Sequence, residues 1–331
     1  MELLKSYLTS YLPDAKGLSR NTIISYKYTF RLLLEFMNSC RGIAADQISF
    51  DMLDYQTLAE FLLWLEKERN CSASTKNQRL SALLSFSKYA QNRDFEAALV
   101  FRSSVIKIPV KKASHKTRTT FTTDEVAKLL SLPDEKSSIG LRDKVLLSFM
   151  YASGARAQEV CDLTVGDISF SDNHTSVVLH GKGGKSRRIS IPSQCGNMLK
   201  KYIDIRRLSK KYGRHVFSSQ NHEKMSVSCI EEVFKKYVLL AREMYPDMFK
   251  GTSYPPHSMR HSTACHMLEA GIPIMVIKNF LGHASVQTTQ IYAELTQDEV
   301  NKKLIDWNRK WFHNEEIPKD AGNAIPDFLR V

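Results

Sequence analysis

The chain has 331 residues, 43% of them hydrophobic, which is enough for two domains of ordinary size that each bury a core. Its net charge of +12 and pI of about 9.3 favour polyanions such as nucleic acid over acidic small molecules. Apolar runs such as LLSFMYASGA (146–155) fall short of the roughly 20 residues of a membrane span, and MELLKSYLTSYLPDAKG lacks the apolar block of a signal peptide, so no membrane association or export is expected.

Residues 1–105 read as all-helical, with apolar residues at three- and four-residue steps in NTIISYKYTFRLLLEFMNSC, DMLDYQTLAEFLLWLEKE and STKNQRLSALLSFSKYAQNR. Three or four packed helices follow, with Ser19 or Asn21, Asp51 and Ser74 as N-caps that accept from first-turn amides. Tyr26, Lys27, Arg31, Lys76, Arg79 and Lys88 are candidate phosphate contacts, or else the polar faces of ordinary helices. Residues 106–120 hold five basic and no acidic side chains, among them Lys111 and Lys112, and little apolar periodicity. This stretch reads as a basic linker, either solvated or laid across a phosphate backbone.

Beyond it, FTTDEVAKLLSLPDE and SIGLRDKVLLSFMYASG read as helices, the first capped by Thr122 or Thr123. TSVVLHGKGGKSRRISIP alternates and is β-branched on both sides of KGGK, which predicts a hairpin with a glycine turn. Helical periodicity returns in NMLKKYIDIRRLSKK, SCIEEVFKKYVLLAREM, HSTACHMLEA and IPIMVIKNFL. The fold class is therefore mainly α: an all-helical N-terminal domain and a mixed, mostly helical second domain with a small antiparallel β-sheet.

Several places carry chemistry. Arg156 follows Gly154 at a helix end, with Glu159 three residues on, and an arginine held there can offer a planar fork to a phosphate. Lys182 opens the glycine turn, where the backbone can approach another backbone closely, and Lys185, Arg187 and Arg188 share that basic hairpin. Pro255 and Pro256 fix the entry to a helix on which His257 and Arg260 stand three apart, so that their side chains can converge. His261 and His266 lie near, but this set lacks a carboxylate and includes a repelling arginine, and the six cysteines stand singly; no metal and no cofactor is expected. Scattered single cysteines also suit a reduced, cytoplasmic setting. His283 follows Gly282, and nine residues later comes Tyr292, a phenol able to act as a nucleophile.

Taken together, GARAQE, GKGGKSRR, HSMRH, LGH and TTQIY resemble, in order and spacing, the successive boxes of the tyrosine recombinase (phage integrase) family over about residues 121–312. Residues 1–105 are similar to that family's helical core-binding domain. Ala155 and Met259 stand where the family usually has a bulky residue and a leucine, and neither change removes a catalytic group. The resemblance implies that Tyr292 attacks a scissile phosphate to give a 3′-phosphotyrosyl link and a free 5′-hydroxyl. It implies that Arg156 and Arg260 hold the non-bridging oxygens, Lys182 is the general acid, His257 shuttles or donates a proton, His283 hydrogen-bonds the phosphate and Glu159 supports the site from behind. Two guanidiniums and an ammonium can supply the charge that phosphoryl transfer needs, and exchanging one phosphodiester for another through phosphotyrosine conserves bond energy.

The expected activity is site-specific cleavage and rejoining of double-stranded DNA, exchanging strands between two sites through a Holliday junction, in integration, excision, transposition or resolution. The alternatives are relaxation of the type IB topoisomerase kind, or a catalytically silent DNA-binding factor. The domain reading is 1–105 DNA-clamping, 106–120 linker, 121–312 catalytic and 313–331 tail. In AELTQDEVNKKLIDWNRKWFHNEE an amphipathic helix is expected, with Val300, Leu304, Trp307 and Trp311 on one face, and the tail ends on Ile325, Phe328, Leu329 and Val331. The apolar face of the helix packs either on its own domain or, as the family resemblance suggests for C-terminal segments, on a neighbouring subunit, and the tail is expected to dock in trans in a homo-tetramer on two DNA sites, assembled from monomers or dimers; no accessory protein is identified.

Overall fold

A computed structural model describes residues 1–112, 119–171 and 174–283. The chain forms two compact units, Met1–Thr117 and Arg118–Val331. Among the described residues no helix is long and apolar enough to cross a membrane.

The first unit is helical throughout. Helix α1 (Glu2–Ser6) runs into a wider π-type segment, Tyr7–Ala15, followed by α2 (Arg20–Arg41), α3 (Tyr55–Lys67), α4 (Ala73–Gln91) and α5 (Phe95–Lys107). Ser19 caps α2 as one of the two expected residues. Two caps differ from expectation: Asp54, in place of Asp51, accepts from the Thr57 amide at 2.8 Å, and Ser72, in place of Ser74, accepts from Thr75 at 3.2 Å. In both cases the cap is the polar residue three positions before the amide it satisfies, and the expected residue lies outside that register. Within residues 1–105, read as helical throughout, the sequence does not single out the leading segment or α5 as separate helices; Phe95, Leu99, Val100 and Ile106 of α5 are exposed while Ala98, Phe101 and Val105 are buried. As α5 reaches Lys107, the stretch read as linker from residue 106 opens inside a helix. Tyr7, Phe30, Phe86 and Phe101 meet in the core, with Tyr7 and Phe86 ring centroids 5.1 Å apart.

In the second unit, α6 (Thr123–Ser131) opens on a reciprocal cap between Thr122 and Glu125 and is followed by α7 (Ser138–Ser153) and a short α8 (Ala157–Asp162). A three-stranded antiparallel sheet follows in the order β1 (Ile168–Phe170), β2 (Thr175–His180), β3 (Ser186–Ile191). β2 and β3 are the expected hairpin, paired from Thr175 with Ile191 to His180 with Ser186. β1 adds a strand too short to show alternation in the sequence. Helices α9 (Ser193–Ile205), α10 (Val227–Met244), α11 (Pro256–Glu269) and α12 (Ile274–Leu281) complete the described part.

The core of this unit gathers Leu146, Phe149 and Met150 of α7, Val177 and Leu179 of β2, Leu199 of α9 and Phe234 of α10. Within it, Asp143 accepts from Arg142 at 2.7 Å and from the Tyr237 hydroxyl at 3.1 Å. Cys161, Cys195 and Cys265 are buried, and burial pushes their thiols up to about 11, 12 and 11. Cys40 is exposed at the end of α2, while Cys71 and Cys229 are half-buried.

Candidate active site

Helix α7 stops at Gly154, which adopts φ +56° and so leaves the helix in the left-handed region. A side chain there would be strained in conformation and its Cβ would lie 2.5 Å from Leu281 Cδ2, so the α7 terminus sits directly against the end of α12. Two residues later Arg156 opens α8. Glu159, three positions on, accepts from the Arg156 amide at 2.8 Å and from its Nη1 at 2.7 Å.

The same carboxylate is met from β3. Arg187 donates Nη1 and Nη2 to the two oxygens of Glu159 at 2.8 and 2.9 Å, and its Nε to the Phe280 carbonyl at 2.9 Å. Burial alone would raise the Glu159 carboxyl, but the hydrogen bonds and charges of Arg187 and Arg156 outweigh it and hold the group down at about 2. Read from sequence as a DNA contact, Arg187 is instead turned inward with its side chain 12% exposed, and this reading is corrected: its donors are occupied inside the protein. The signal was present in SRRISI, where burial alternates along β3 so that Arg187 shares a face with the buried Ile189 and Ile191.

Arg260, on the first turns of α11, is 1% exposed. Its Nη1 donates to the Gly154 carbonyl and its Nη2 to the Leu281 carbonyl, both at 2.6 Å, so that one planar fork ties the C-terminus of α7 to that of α12. His257, one turn earlier, is exposed and sets its ring edge-on to His261 with centroids 4.5 Å apart. His283 stands just past Gly282, the left-handed cap of α12. Burial first, and then the charges of Arg260, Arg156, His257 and Arg187, push the His283 imidazole down to about 4, so it is neutral at physiological pH.

Arg156, Glu159, Arg260, His257 and His283 are thereby brought to one place by the ends of α7 and α12 and the starts of α8 and α11, with Arg187 behind Glu159. Lys182 begins the single turn Lys182–Gly184 between β2 and β3, where Gly183 and Gly184 take φ +77° and +72°. Tyr292 lies outside the described residues, as do the expected amphipathic helix and tail.

The other basic residues divide. Lys185 and Arg188 are exposed on the hairpin, Arg188 donating to Ser176 Oγ at 3.0 Å. Lys112 is exposed, and Lys111, also exposed, pairs with Glu66 at 3.1 Å and exchanges backbone hydrogen bonds with the Asn77 side chain. Lys76 is corrected from a phosphate contact to a packing residue: its side chain is 5% exposed and its ammonium pairs with Glu66. Arg79 is largely engaged within the first unit, donating Nη1 to the Ser25 carbonyl at 3.0 Å and lying over the Tyr28 ring. Sequence reasoning did not anticipate the part of His266, which meets the Tyr151 hydroxyl at 2.9 Å and the Phe121 carbonyl at 3.0 Å and so fastens α11 to α7. Among the described residues no group of three or more His, Cys, Asp or Glu is placed to hold a metal ion.

Against this geometry the relationships of the chain are specific. The phage integrase family model matches residues 119–299, and the model for the phage integrase N-terminal SAM-like domain matches residues 4–94. Tyrosine recombinase XerA of Pyrococcus furiosus is 31% identical over 304 residues, 92% of this chain and 93% of the relative. Tyrosine recombinase XerD of Vibrio cholerae is 29% identical over 312 residues, 92% of each. The crystal structure of the XerH site-specific recombinase bound to palindromic difH substrate superposes with a TM-score of 0.69 at 20% identity, covering 89% of this chain and 82% of that one, a likeness of fold. With one family model spanning more than half of its length and a relative this similar along nearly all of it, the chain belongs to the phage integrase family, the tyrosine recombinases.

Proposed function

We propose that the protein is a site-specific DNA recombinase that cuts and rejoins double-stranded DNA through a 3′-phosphotyrosyl intermediate. The observation that carries this reading is the convergence of Arg156, Arg260, His257 and His283 at the joined ends of α7 and α12, in a chain of this family. The names of its relatives support it, and a transposon integrase of the same fold, solved in complex with transposon right end DNA, supports DNA as the partner.

In this reading Tyr292 Oη attacks the scissile phosphorus. Arg156 holds a non-bridging oxygen from solvent, while Arg260, locked between two carbonyls, fixes the frame and sets its charge beneath the phosphate. His283, neutral in the free protein, donates a hydrogen bond. Lys182, on the turn of the hairpin, gives its proton to the departing 5′-oxygen. His257 shuttles or donates a proton at the site rim. The 5′-hydroxyl of the partner strand then attacks the phosphotyrosine, releasing Tyr292 and restoring a phosphodiester, so no external energy source is consumed. Residues 1–105 would clamp the duplex, 106–120 link the domains, 121–312 carry the chemistry, and 313–331 dock between subunits of a tetramer on two sites. The same chemistry serves integration, excision, transposition and resolution.

The test is a denaturing gel of wild type and Tyr292→Phe on nicked DNA carrying the cognate site, since nicking lets the short 5′-hydroxyl fragment diffuse away and traps the adduct. A covalent species with wild type and none with Phe is expected. Tight binding without an adduct from wild type would leave a DNA-binding factor, and relaxation of supercoils by a monomer on non-specific DNA would leave a topoisomerase.

A further inference from the structure

Glu159 is a buried carboxylate directly behind an arginine that the recombinase reading needs as a phosphate holder. A carboxylate closed on one guanidinium forms a neutral pair, which has little left to offer an incoming anion. Here the two oxygens of Glu159 instead take donors from two arginines, Arg156 at 2.7 and 2.8 Å and Arg187 at 2.8 and 2.9 Å. The three side chains together carry one net positive charge. Arg156 is the member that reaches solvent, with 39% of its side chain exposed against 12% for Arg187.

Arg187 is also braced on its other side. Its Nε donates to the Phe280 carbonyl in the last turn of α12, where a cation meets the negative end of the helix. Its stem lies so close to Gly282 that a Cβ there would come within 2.9 Å of Arg187 Cδ. One side chain on the lysine-bearing hairpin therefore touches the acid behind Arg156 and, at Phe280 and Gly282, the chain just before His283.

Resting on the recombinase reading above, we infer that Arg187 is a positioning residue that takes up the charge of Glu159, leaving Arg156 a net positive charge for the scissile phosphate. It would act from β3, so the strand that follows the Lys182 turn is fastened to the arginine and histidine ends of the site. A residue with this part touches neither DNA nor the reacting atoms.

The test is a double-mutant cycle on the full chain, read as the rate of adduct formation on nicked cognate DNA at saturating protein. Arg187→Gln leaves Glu159 to Arg156 alone and slows the rate about 100-fold, the scale of a lost transition-state donor. Adding Glu159→Gln removes the charge to be balanced and recovers at least about tenfold of that loss, a coupling that two independent structural defects would not give. Arg187→Lys keeps the charge without the fork and stays within about tenfold of wild type; it carries the test if thermal unfolding shows that the Gln variant does not fold. A double variant as slow as Arg187→Gln, or a Lys variant slowed as much as the Gln variant, would overturn the inference. So would an Arg187→Gln protein that keeps its rate at saturation but loses about one unit of salt slope in DNA binding, since Arg187 would then be a phosphate contact. Absence of any adduct from wild type overturns the recombinase reading and this inference with it, whereas a normal wild-type adduct with an uncoupled cycle overturns the inference alone.

Discussion

At the scale of single residues, the site is built from charged groups whose protonation is set by their neighbours. His283 is held at about 4 in the folded protein, well below the ordinary value near 6.5. The unfolded chain therefore binds a proton through this window that the folded protein refuses, and stability must fall as pH drops from about 6.5 toward 4. Glu159 acts in a separate window: its carboxyl is depressed to about 2, so its contribution is complete above about 4.5 and fades only as pH falls toward 2. Melting temperatures of wild type and His283→Gln measured from pH 7 to 4.5 should converge or cross as pH falls, because the variant lacks the penalty; parallel curves would contradict the depressed imidazole. Arg260→Lys addresses the fork between Gly154 and Leu281. An ammonium cannot serve both buried carbonyls with the same planar geometry, so a loss of about 1–3 kcal/mol is expected in denaturant unfolding, together with loss of adduct formation. Arg156, Glu159, His257, Arg260 and His283 are singled out in the sequence by the resemblance of GARAQE, HSMRH and LGH to the family's boxes, since each taken alone reads as an ordinary surface or packing residue. The direction of Arg187 was not read correctly, because two adjacent arginines in SRRISI look alike in composition and differ only in which side of the pleat they occupy.

At the scale of elements, the site depends on how closely helix ends approach each other. Gly154 and Gly42 both end helices in the left-handed region, but a Cβ on Gly42 would meet nothing within 4 Å, whereas one on Gly154 would strike Leu281. Gly42→Ala should cost about 1–2 kcal/mol for the conformation alone. Gly154→Ala should cost more than that and displace the end of α12, lowering both the stability of the second unit and adduct formation. Equal losses for the two variants, measured by urea unfolding, would show that the α7–α12 approach is not tight. The helices of the second unit other than the short α8 were legible from their period, and the β2–β3 hairpin from its glycine turn. Helix α5 was not singled out because its buried face is narrow and several of its apolar side chains face solvent, which erases the periodic signal.

At the scale of the whole molecule, two separate cores support one chemical task. Phe101 is fully buried in the aromatic core of the first unit, and Phe101→Ala should cost about 3–5 kcal/mol there, read by calorimetry as a downward shift of that unit's transition. The net charge of +12 predicts DNA binding that weakens steeply with salt, and deletion of 318–331 should reduce recombination and tetramer formation while sparing binding to one site; unchanged recombination by the truncated chain would remove the tail from assembly. The division into a helical first part and a mixed second part was visible in the change from pure helical period to alternation. The placement of the cysteines has a practical consequence. Three thiols are hidden in the second unit and held protonated far above neutral pH, so they offer almost no thiolate to an electrophile. Cys40, open to solvent at the end of α2, is the natural attachment point for a maleimide dye, placing a fluorescent label on the first unit in the unmodified sequence.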